Sequence, residues 1–287
     1  MLNSKLKLIE CPRDAMQGLH DFIPTEIKSN YINSLLKCGF DTIDFGSFVS
    51  PKAIPQMRDT AEVLSKLELN TSSKLLAIIA NERGASEATS FEEINYLGYP
   101  FSVSEEFQKR NTNSTIIDSL ALVERIQNTC LKSGKELVVY LSMGFGNPYG
   151  EEWNPEIVQK WSEILSSKYG IKILALSDTI GAANPEQVND LYSKLIVQLP
   201  DVEFGAHFHT KPDVAKELIK AAYNSGCRRF DGAIKGFGGC PMAADDLTGN
   251  MPTEIMLDWF DENAIITGID SILFKKAYLE ANSVFPM

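Results

Sequence analysis

The sequence predicts a single-domain α/β protein of the (β/α)₈, or TIM-barrel, type. Short strand-like runs occur eight times, and each is followed by a longer stretch with helical periodicity. The length of 287 residues is near the value of about 250 that is typical of this fold. An open doubly wound sheet would usually carry a glycine-rich turn after its first strand, whereas this chain continues into Cys11-Pro-Arg-Asp-Ala-Met-Gln17. Residues 1–287 contain no linker, low-complexity segment or close repeat, which favours one domain.

The eight predicted strands begin about 30 residues apart, at irregular steps. They are Leu6–Glu10, Thr42–Gly46, Lys74–Ile79, Glu93–Leu97, Glu136–Met143, Lys172–Ser177, Glu203–His209 and Arg229–Ile234. Five helix starts are predicted between them, because Asn or Ser caps and first-turn Pro suit the free amides of a helix amino terminus. These starts are Pro24-Thr-Glu, Asn113-Ser-Thr with Asp118 following, Asn154-Pro-Glu, Asn184-Pro-Glu and Lys211-Pro-Asp.

The net charge and the lengths of the apolar runs disfavour nucleic acid and membranes as partners. With 27 Lys and Arg against 38 Asp and Glu, the net charge of −11 disfavours nucleic acid and requires a local basic site for any anionic ligand. The longest apolar run, Leu75–Ala80, is far shorter than the roughly 18 residues of a membrane span. We therefore expect a soluble protein that binds neither nucleic acid nor membrane.

The cysteines and the amino terminus predict a cytoplasmic location. The five cysteines are an odd number without C-x-x-C spacing, so they indicate neither a complete disulfide set nor a zinc ribbon. The first ten residues lack the apolar segment and the cleavage site of a secretion signal.

In a barrel of this type, reactive side chains lie at the carboxyl ends of the strands. Polar residues are frequent at these exits in the present chain. They are Arg13 and Asp14 after strand one, Asp44 and Ser47 at strand two, Tyr140 and Ser142 on strand five, Ser177-Asp178-Thr179 after strand six, His207 and His209 on strand seven, and Lys235-Gly-Phe-Gly-Gly-Cys240 after strand eight.

The histidine pair on strand seven indicates a metal site. Residues two apart on a strand share a face, so His207 and His209 are predicted to point inward together while Phe208 faces the helices. Asp14 is the candidate acid, and Asn250 could add an amide oxygen. This mixed nitrogen and oxygen set favours Mg²⁺ or Mn²⁺, with Zn²⁺ less favoured. Two hydrogen-bonded histidines without a metal are the alternative.

Arg13 and Cys240 are the other candidate catalytic residues. A guanidinium inside a closed site can hold a carboxylate or stabilise an enolate oxygen, although a surface ion pair with Asp14 is the alternative. The Gly236–Cys240 segment could place a thiol over the cavity as a general acid or base, or it could be a flexible turn with an inert thiol.

Several motifs together resemble the 3-hydroxy-3-methylglutaryl-CoA lyase family, which is related to the isopropylmalate and homocitrate synthases. The resemblance runs nearly end to end. It is carried by Pro12–Gln17, Ser47–Lys52, Pro55–Met57, Ser104–Phe107 with Asn111, Asp178–Gly181, His207–His209, Gly236–Pro241, Gly249-Asn250 and Thr253-Glu254. Met16 stands where the condensing synthases usually have glutamate, and the chain has no room for their extra regulatory domain.

The resemblance implies the roles of individual residues. Asp14, His207, His209 and Asn250 would bind the divalent cation, Arg13 would stabilise an enolate, and Cys240 would take part in proton transfer. Asp178 and Glu254 would orient metal ligands or substrate. The wider set expected to contact substrate or support the ligands is Gln17, Asp44, Ser47, Tyr140, Ser142, Asp178, Thr179 and Glu254.

The implied reaction is a retro-Claisen cleavage of 3-hydroxy-3-methylglutaryl-CoA to acetyl-CoA and acetoacetate. The cation would hold the tertiary hydroxyl, and His207 in association with Asp14 would remove its proton. Asp44, Ala15 and Thr210 depart from the family pattern, and the loop from Cys240 to Asn250 is one residue longer than in the family. These departures bear on the exact acyl-CoA substrate. A related barrel enzyme acting on another 3-hydroxy-acyl-CoA, a Claisen-type synthase and a non-catalytic acyl-CoA or metal-binding barrel are the alternatives.

An acyl-CoA substrate would need basic contacts for its phosphates. The candidates are Lys52, Lys109, Arg110 and Lys235, each of which could equally be a solvated surface charge. A homodimer is one oligomeric state that the sequence leaves open.

Overall fold

The computed structural model describes residues 5–239 and 248–285. Eight parallel strands form a closed barrel in chain order, and β1 pairs with both β2 and β8. The strands are β1 (Lys7–Glu10), β2 (Thr42–Ser47), β3 (Lys74–Ile78), β4 (Ile94–Ser102), β5 (Glu136–Ser142), β6 (Ile173–Asp178), β7 (Glu203–Phe208) and β8 (Arg229–Gly232). All eight predicted strands are present in their predicted order, so the predicted barrel is confirmed.

Helices surround the barrel. They are α1 (Pro12–Gln17), α2 (Thr25–Leu36), α3 (Thr60–Leu64), α4 (Glu82–Thr89), α5 (Glu105–Thr112), α6 (Ile116–Lys132), α7 (Pro155–Glu163), α8 (Pro185–Gln198), α9 (Pro212–Asn224), α10 (Thr253–Glu262) and α11 (Ser271–Val284). Short 3₁₀ turns cover Pro55–Met57 and Ile234–Gly236, and a π turn over Ile164–Lys168 extends α7. No helix in the described ranges is long and apolar enough to cross a membrane.

The predicted capping residues explain several helix starts. Asn154 and Asn184 each accept a backbone N–H with their side chain, and Asn184 forms a reciprocal capping box with Gln187. At the start of α6 the prediction is displaced by two residues. Thr115 is the cap, whereas Asn113 ends α5 in a left-handed conformation with φ of 53°.

Strand β4 is longer than predicted. The predicted strand ends at Leu97, yet β4 continues to Ser102 in register with β5. Gly98 suits the packing here, because a Cβ at this position would lie 2.5 Å from Ile78 Cδ1 on β3 and 3.0 Å from the ring of Tyr140 on β5. The extension brings Pro100 to the carboxyl end of the barrel, where it lines the cavity described below.

The core has an inner and an outer part. Inside the barrel, buried side chains from the four consecutive strands β3 to β6 pack together, and they are Leu76, Tyr96, Val138, Tyr140, Ile173 and Ala175. A larger cluster fills the space between the strands and the helices. Because the barrel interior is filled, a ligand can enter only at its rim.

Candidate active site

A cavity of about 530 Å³ opens at the carboxyl ends of the strands. Most of the predicted site residues line it, although they come from distant parts of the chain. These residues are Arg13, Asp14, Gln17, Ser47, Tyr140, Ser142, Thr179, His207 and His209. The location is the one that barrel enzymes use.

Asp14, His207 and His209 form the candidate metal centre. Each offers a ligand atom that lies within 4.8 Å of the other two, and His209 Nε2 is 3.9 Å from Asp14 Oδ2. The rings of the two histidines have centroids 5.4 Å apart. Phe208 packs against Phe145 on the outer side of the strand, so the predicted inward orientation of the histidine pair is confirmed.

The other nitrogen of each imidazole is already engaged. His209 Nδ1 donates to the carbonyl oxygen of Thr179 at 3.1 Å, and His207 Nδ1 contacts Asp231 Oδ2 at 3.1 Å. These partners leave both Nε2 lone pairs available for a cation and orient the rings.

The protonation states suit a cation. Burial raises the pKa of Asp14, but Arg13, the two histidines and the hydrogen bond from Asn250 together outweigh burial and lower this pKa to about 2. Burial and the neighbouring His207 lower the pKa of His209 to about 4. Burial also lowers the pKa of His207, yet Asp231 reverses this effect and raises it above its ordinary value. An ionised carboxylate next to a neutral imidazole is a suitable donor pair for a divalent cation.

Arg13 is buried and holds two carboxylates. Its Nη1 donates to Asp14 Oδ1 at 2.7 Å and to Gln17 Oε1 at 2.9 Å, while Nε and Nη2 grip Asp44 at 3.0 and 2.5 Å. Burial raises the pKa of Asp44 to about 6 against the opposing charge of Arg13. Four of the five guanidinium N–H groups are used within the described residues, so one N–H on Nη2 is left for a ligand.

Asn250 lies beside the centre as a hydrogen-bond donor. Its Nδ2 donates to Asp14 Oδ2 at 2.7 Å and to the carbonyl of Phe237 at 2.9 Å. The backbone bridge between His209 and Asn250 holds the segment here. Its predicted role as a metal ligand through the amide oxygen stays a prediction.

Two of the acids that were predicted to support the site accept hydrogen bonds from backbone N–H groups. Asp178 accepts the N–H groups of Ala182 and Ala183 at 2.9 and 2.8 Å and so holds the turn after β6. Glu254 accepts the N–H of Lys235 at 2.9 Å at the start of the glycine-rich segment. Neither lines the cavity. Cys240 lies outside the described residues.

Asp231 is a residue of the site that the sequence patterns did not predict. It faces His207 directly in the register of β7 and β8 and is buried inside the barrel. Its position two residues after Arg229 on a predicted strand was the feature of the sequence that could have indicated an inward-facing acid. Cys11, His207 and Asp231 also form a group with metal-like spacing. Burial raises the pKa of the Cys11 thiol well above its usual value, which favours the Asp14 group as the cation site.

A closed (β/α)₈ barrel with an Asp–His–His cluster and a buried arginine at its carboxyl-terminal rim defines a barrel enzyme with a candidate divalent-cation site. A family model described as HMGL-like matches residues 5–276, and the chain belongs to this family.

Known proteins agree with this assignment. Hydroxymethylglutaryl-CoA lyase YngG of Bacillus subtilis (strain 168) is 34% identical over 278 residues, which are 96% of this chain and 92% of that protein. The cytoplasmic 3-hydroxy-3-methylglutaryl-CoA lyase of Rattus norvegicus is 30% identical over 92% of this chain and 77% of its own length. The structure of an HMG-CoA lyase from Acinetobacter baumannii in complex with coenzyme A and 3-methylmalate has a TM-score of 0.90 and 31% identity, covering 98% of this chain and 91% of that chain.

Proposed function

We propose that this protein is a hydroxymethylglutaryl-CoA lyase, a single-domain enzyme over residues 1–287 that cleaves 3-hydroxy-3-methylglutaryl-CoA to acetyl-CoA and acetoacetate. The observation that carries this proposal is the buried Arg13 beside the Asp14, His207 and His209 cluster in one cavity. The names of the relatives, and the coenzyme A bound in the Acinetobacter baumannii structure, support an acyl-CoA substrate.

The donor set fits a divalent cation. Asp14, His207 and His209 would hold it, with Asn250 as the proposed fourth ligand. One carboxylate, two imidazoles and no thiolate favour Mg²⁺ or Mn²⁺ over softer metals. When bound, the cation would act as a Lewis acid that lowers the pKa of the substrate hydroxyl.

The side chains of the cavity account for the remaining steps. We propose His207 Nε2 as the acceptor of the C3 hydroxyl proton, in a state in which Asp14, His209 and Asn250 would hold the cation without it. The Asp231 carboxylate on Nδ1 would stabilise the imidazolium that results. The C2–C3 bond then breaks, its electron pair passes to C2, and acetoacetate leaves. The free N–H of Arg13 stabilises the thioester enolate. C2 takes up a proton, for which Cys240 is the proposed donor.

A coupled cleavage assay tests the proposal. We expect acetoacetate to form from 3-hydroxy-3-methylglutaryl-CoA, to stop with a chelator and to return with Mg²⁺ or Mn²⁺. Asp14→Asn should abolish turnover, whereas Asp190→Asn, at an exposed ion pair with Lys194 on α8, should not change it. Condensation of acetyl-CoA with a keto acid, without cleavage, would indicate the synthase alternative. Metal binding without turnover of any acyl-CoA would indicate a non-catalytic barrel.

The location and assembly are separate proposals. We propose that the enzyme acts in the cytoplasm, as the name of the rat relative states for that protein, and that it forms a homodimer. Light scattering on the purified protein would test the second point, since a single species with the mass of one chain would contradict it.

A further inference from the structure

The cavity needs a cation at its open end if it takes an acyl-CoA. The chain carries a net charge of −11, so coenzyme A phosphates must be held by a local positive group. The cations expected from the sequence do not provide one. Lys109 and Arg110 pair with acids one turn away on α5, Lys235 contacts Asn282 and Tyr278 on α11, and none of these or Lys52 lines the cavity.

Apart from His207 and His209, three basic side chains of the described residues line the cavity, and two of them lie beside an acid. Arg13 is buried between Asp14 and Asp44. His20 is fully exposed, and its Nδ1 lies 3.2 Å from a carboxylate oxygen of Asp21. The third is Arg58, which is exposed and has no acidic partner within ion-pair distance in the described part of the chain.

The acid next to Arg58 is already neutralised. Asp59 accepts from Lys28 Nζ at 2.7 Å and from the hydroxyl of Thr25 at 2.8 Å. Lys28 is buried, so this pair is shielded from solvent. The positive charge of Arg58 is therefore left for a ligand.

Arg58 is also held in a conformation that suits an anion. Its guanidinium carbon lies 3.5 Å from the centroid of the Phe22 ring. Stacking uses the face of the guanidinium and leaves the N–H groups at its edge free to donate. The one hydrogen bond of this side chain among the described residues is a long contact of 3.4 Å from Nη1 to the carbonyl of Pro55.

The aromatic platform beneath Arg58 is itself fixed. The Gln56 side chain accepts the N–H of Ile23 at 2.9 Å and donates to the carbonyls of Asp21 and Leu19 at 2.8 and 3.3 Å. Lys28 Nζ lies 4.1 Å from the centroid of the Phe22 ring as well. A fixed ring lowers the entropy cost of ordering Arg58 around a ligand.

We propose that Arg58, stacked on Phe22, binds a phosphate group of the coenzyme A part of the substrate at the open end of the cavity. This inference rests on the proposed acyl-CoA function. It assigns the two ends of one cavity, with the reacting carbons at the buried Arg13 end and the charged part of the thioester at the Arg58 end.

The test compares a full and a truncated substrate. Arg58→Ala is assayed with 3-hydroxy-3-methylglutaryl-CoA and with the corresponding pantetheine thioester, which lacks all phosphates. We expect KM for the full substrate to rise about 10- to 100-fold with little change in kcat, as for loss of a charge-assisted hydrogen bond. The truncated substrate should show no change. Arg125→Ala, at an exposed arginine of α6 that pairs with Glu82 outside the cavity lining, is the matched control and should alter the kinetics of neither substrate.

Calorimetry with free coenzyme A and with pantetheine tests whether Arg58 binds a phosphate group, independently of turnover. Arg58→Ala should weaken coenzyme A binding by the same factor and leave pantetheine binding unchanged, and Arg58→Lys should recover part of the loss. Equal losses with both ligands, or no loss with either, would overturn the assignment. If the wild type cleaves neither thioester, the proposed lyase function fails, and the coenzyme A titrations still test Arg58.

Discussion

Replacing Arg13 with glutamine tests the centre of the site most directly. The guanidinium neutralises two buried carboxylates, Asp14 and Asp44, through contacts of 2.5 to 3.0 Å. Glutamine keeps polarity and removes the charge, so both acids lose their cationic partner. Removing one partner of a buried ion pair typically costs about 3–5 kcal/mol. We expect Arg13→Gln to lower the free energy of unfolding by about that amount in metal-free protein.

The activity loss should be separable from the loss of stability. An electrostatic donor aimed at developing charge contributes on the order of 10²–10³ in turnover. We therefore expect kcat to fall by about that factor under conditions where Arg13→Gln is still folded. Added Mn²⁺ should restore part of the stability, because a cation held by Asp14 replaces one of the lost charges, but it should not restore turnover.

Two measurements and one comparison variant complete this experiment. Denaturant titration with and without Mn²⁺ gives the stability, and steady-state cleavage of 3-hydroxy-3-methylglutaryl-CoA gives kcat. Arg13→Lys keeps the charge but cannot grip Asp14 and Asp44 with a planar fork, so its values should lie between those of wild type and Arg13→Gln. Turnover near the wild-type value in Arg13→Gln, or unchanged stability without metal, would refute the assignment of Arg13.

Two further predictions concern buried acids near the rim. Asp231→Asn removes the charge that orients His207 and should weaken Mn²⁺ binding about 10- to 100-fold by calorimetry, and an unchanged affinity would contradict a supporting role for Asp231. Glu10→Gln tests a pH effect, because burial raises the pKa of Glu10 from 4.5 to about 8. Between these values the folded state binds a proton that the unfolded state lacks, so this group makes wild-type stability fall as pH rises, by about 1.4 kcal/mol per unit. Between pH 5 and pH 8, the free energy of unfolding of Glu10→Gln should therefore rise by about 4 kcal/mol relative to that of the wild type, as measured by denaturant titration. If the free energies of unfolding of the two proteins change in parallel with pH, Glu10 is not protonated in the folded state.

Much of the fold followed from local patterns. Apolar residues placed the eight strands, and asparagine caps such as Asn154 and Asn184 placed helix starts, because both effects act within a few neighbouring residues. The full length of β4 was not predicted, because the packing that suits Gly98 involves Ile78 on β3 and Tyr140 on β5, the two neighbouring strands.

Some features of the candidate site likewise followed from local patterns, and others depended on tertiary contacts. The inward orientation of His207 and His209 follows from the two-residue period of a strand, and Asp14 was expected near them because a closed barrel brings strands one and seven close together. The contact of Asp231 with His207 depends on the register between β7 and β8, and the grip of Arg13 on Asp44 depends on where α1 meets β2. The role of Glu254 was implied by the family resemblance alone, and the contact of its carboxylate with the backbone N–H of Lys235 became visible only in the structure.

The amino-acid sequence by itself determined the barrel, the rim at which chemistry can occur and the residue types gathered there. The periodicity of apolar residues depends only on near neighbours, and the order of the strands follows from their order along the chain. The tertiary structure decided which of those groups touch, which carry charge and which are spent on holding the backbone. Hydrogen bonding and desolvation depend on ångström-scale distances between residues as far apart in sequence as Asp14 and Asn250. Arg58 shows the difference, because only the packed structure reveals that its neighbouring acid is neutralised and that Phe22 lies beneath it.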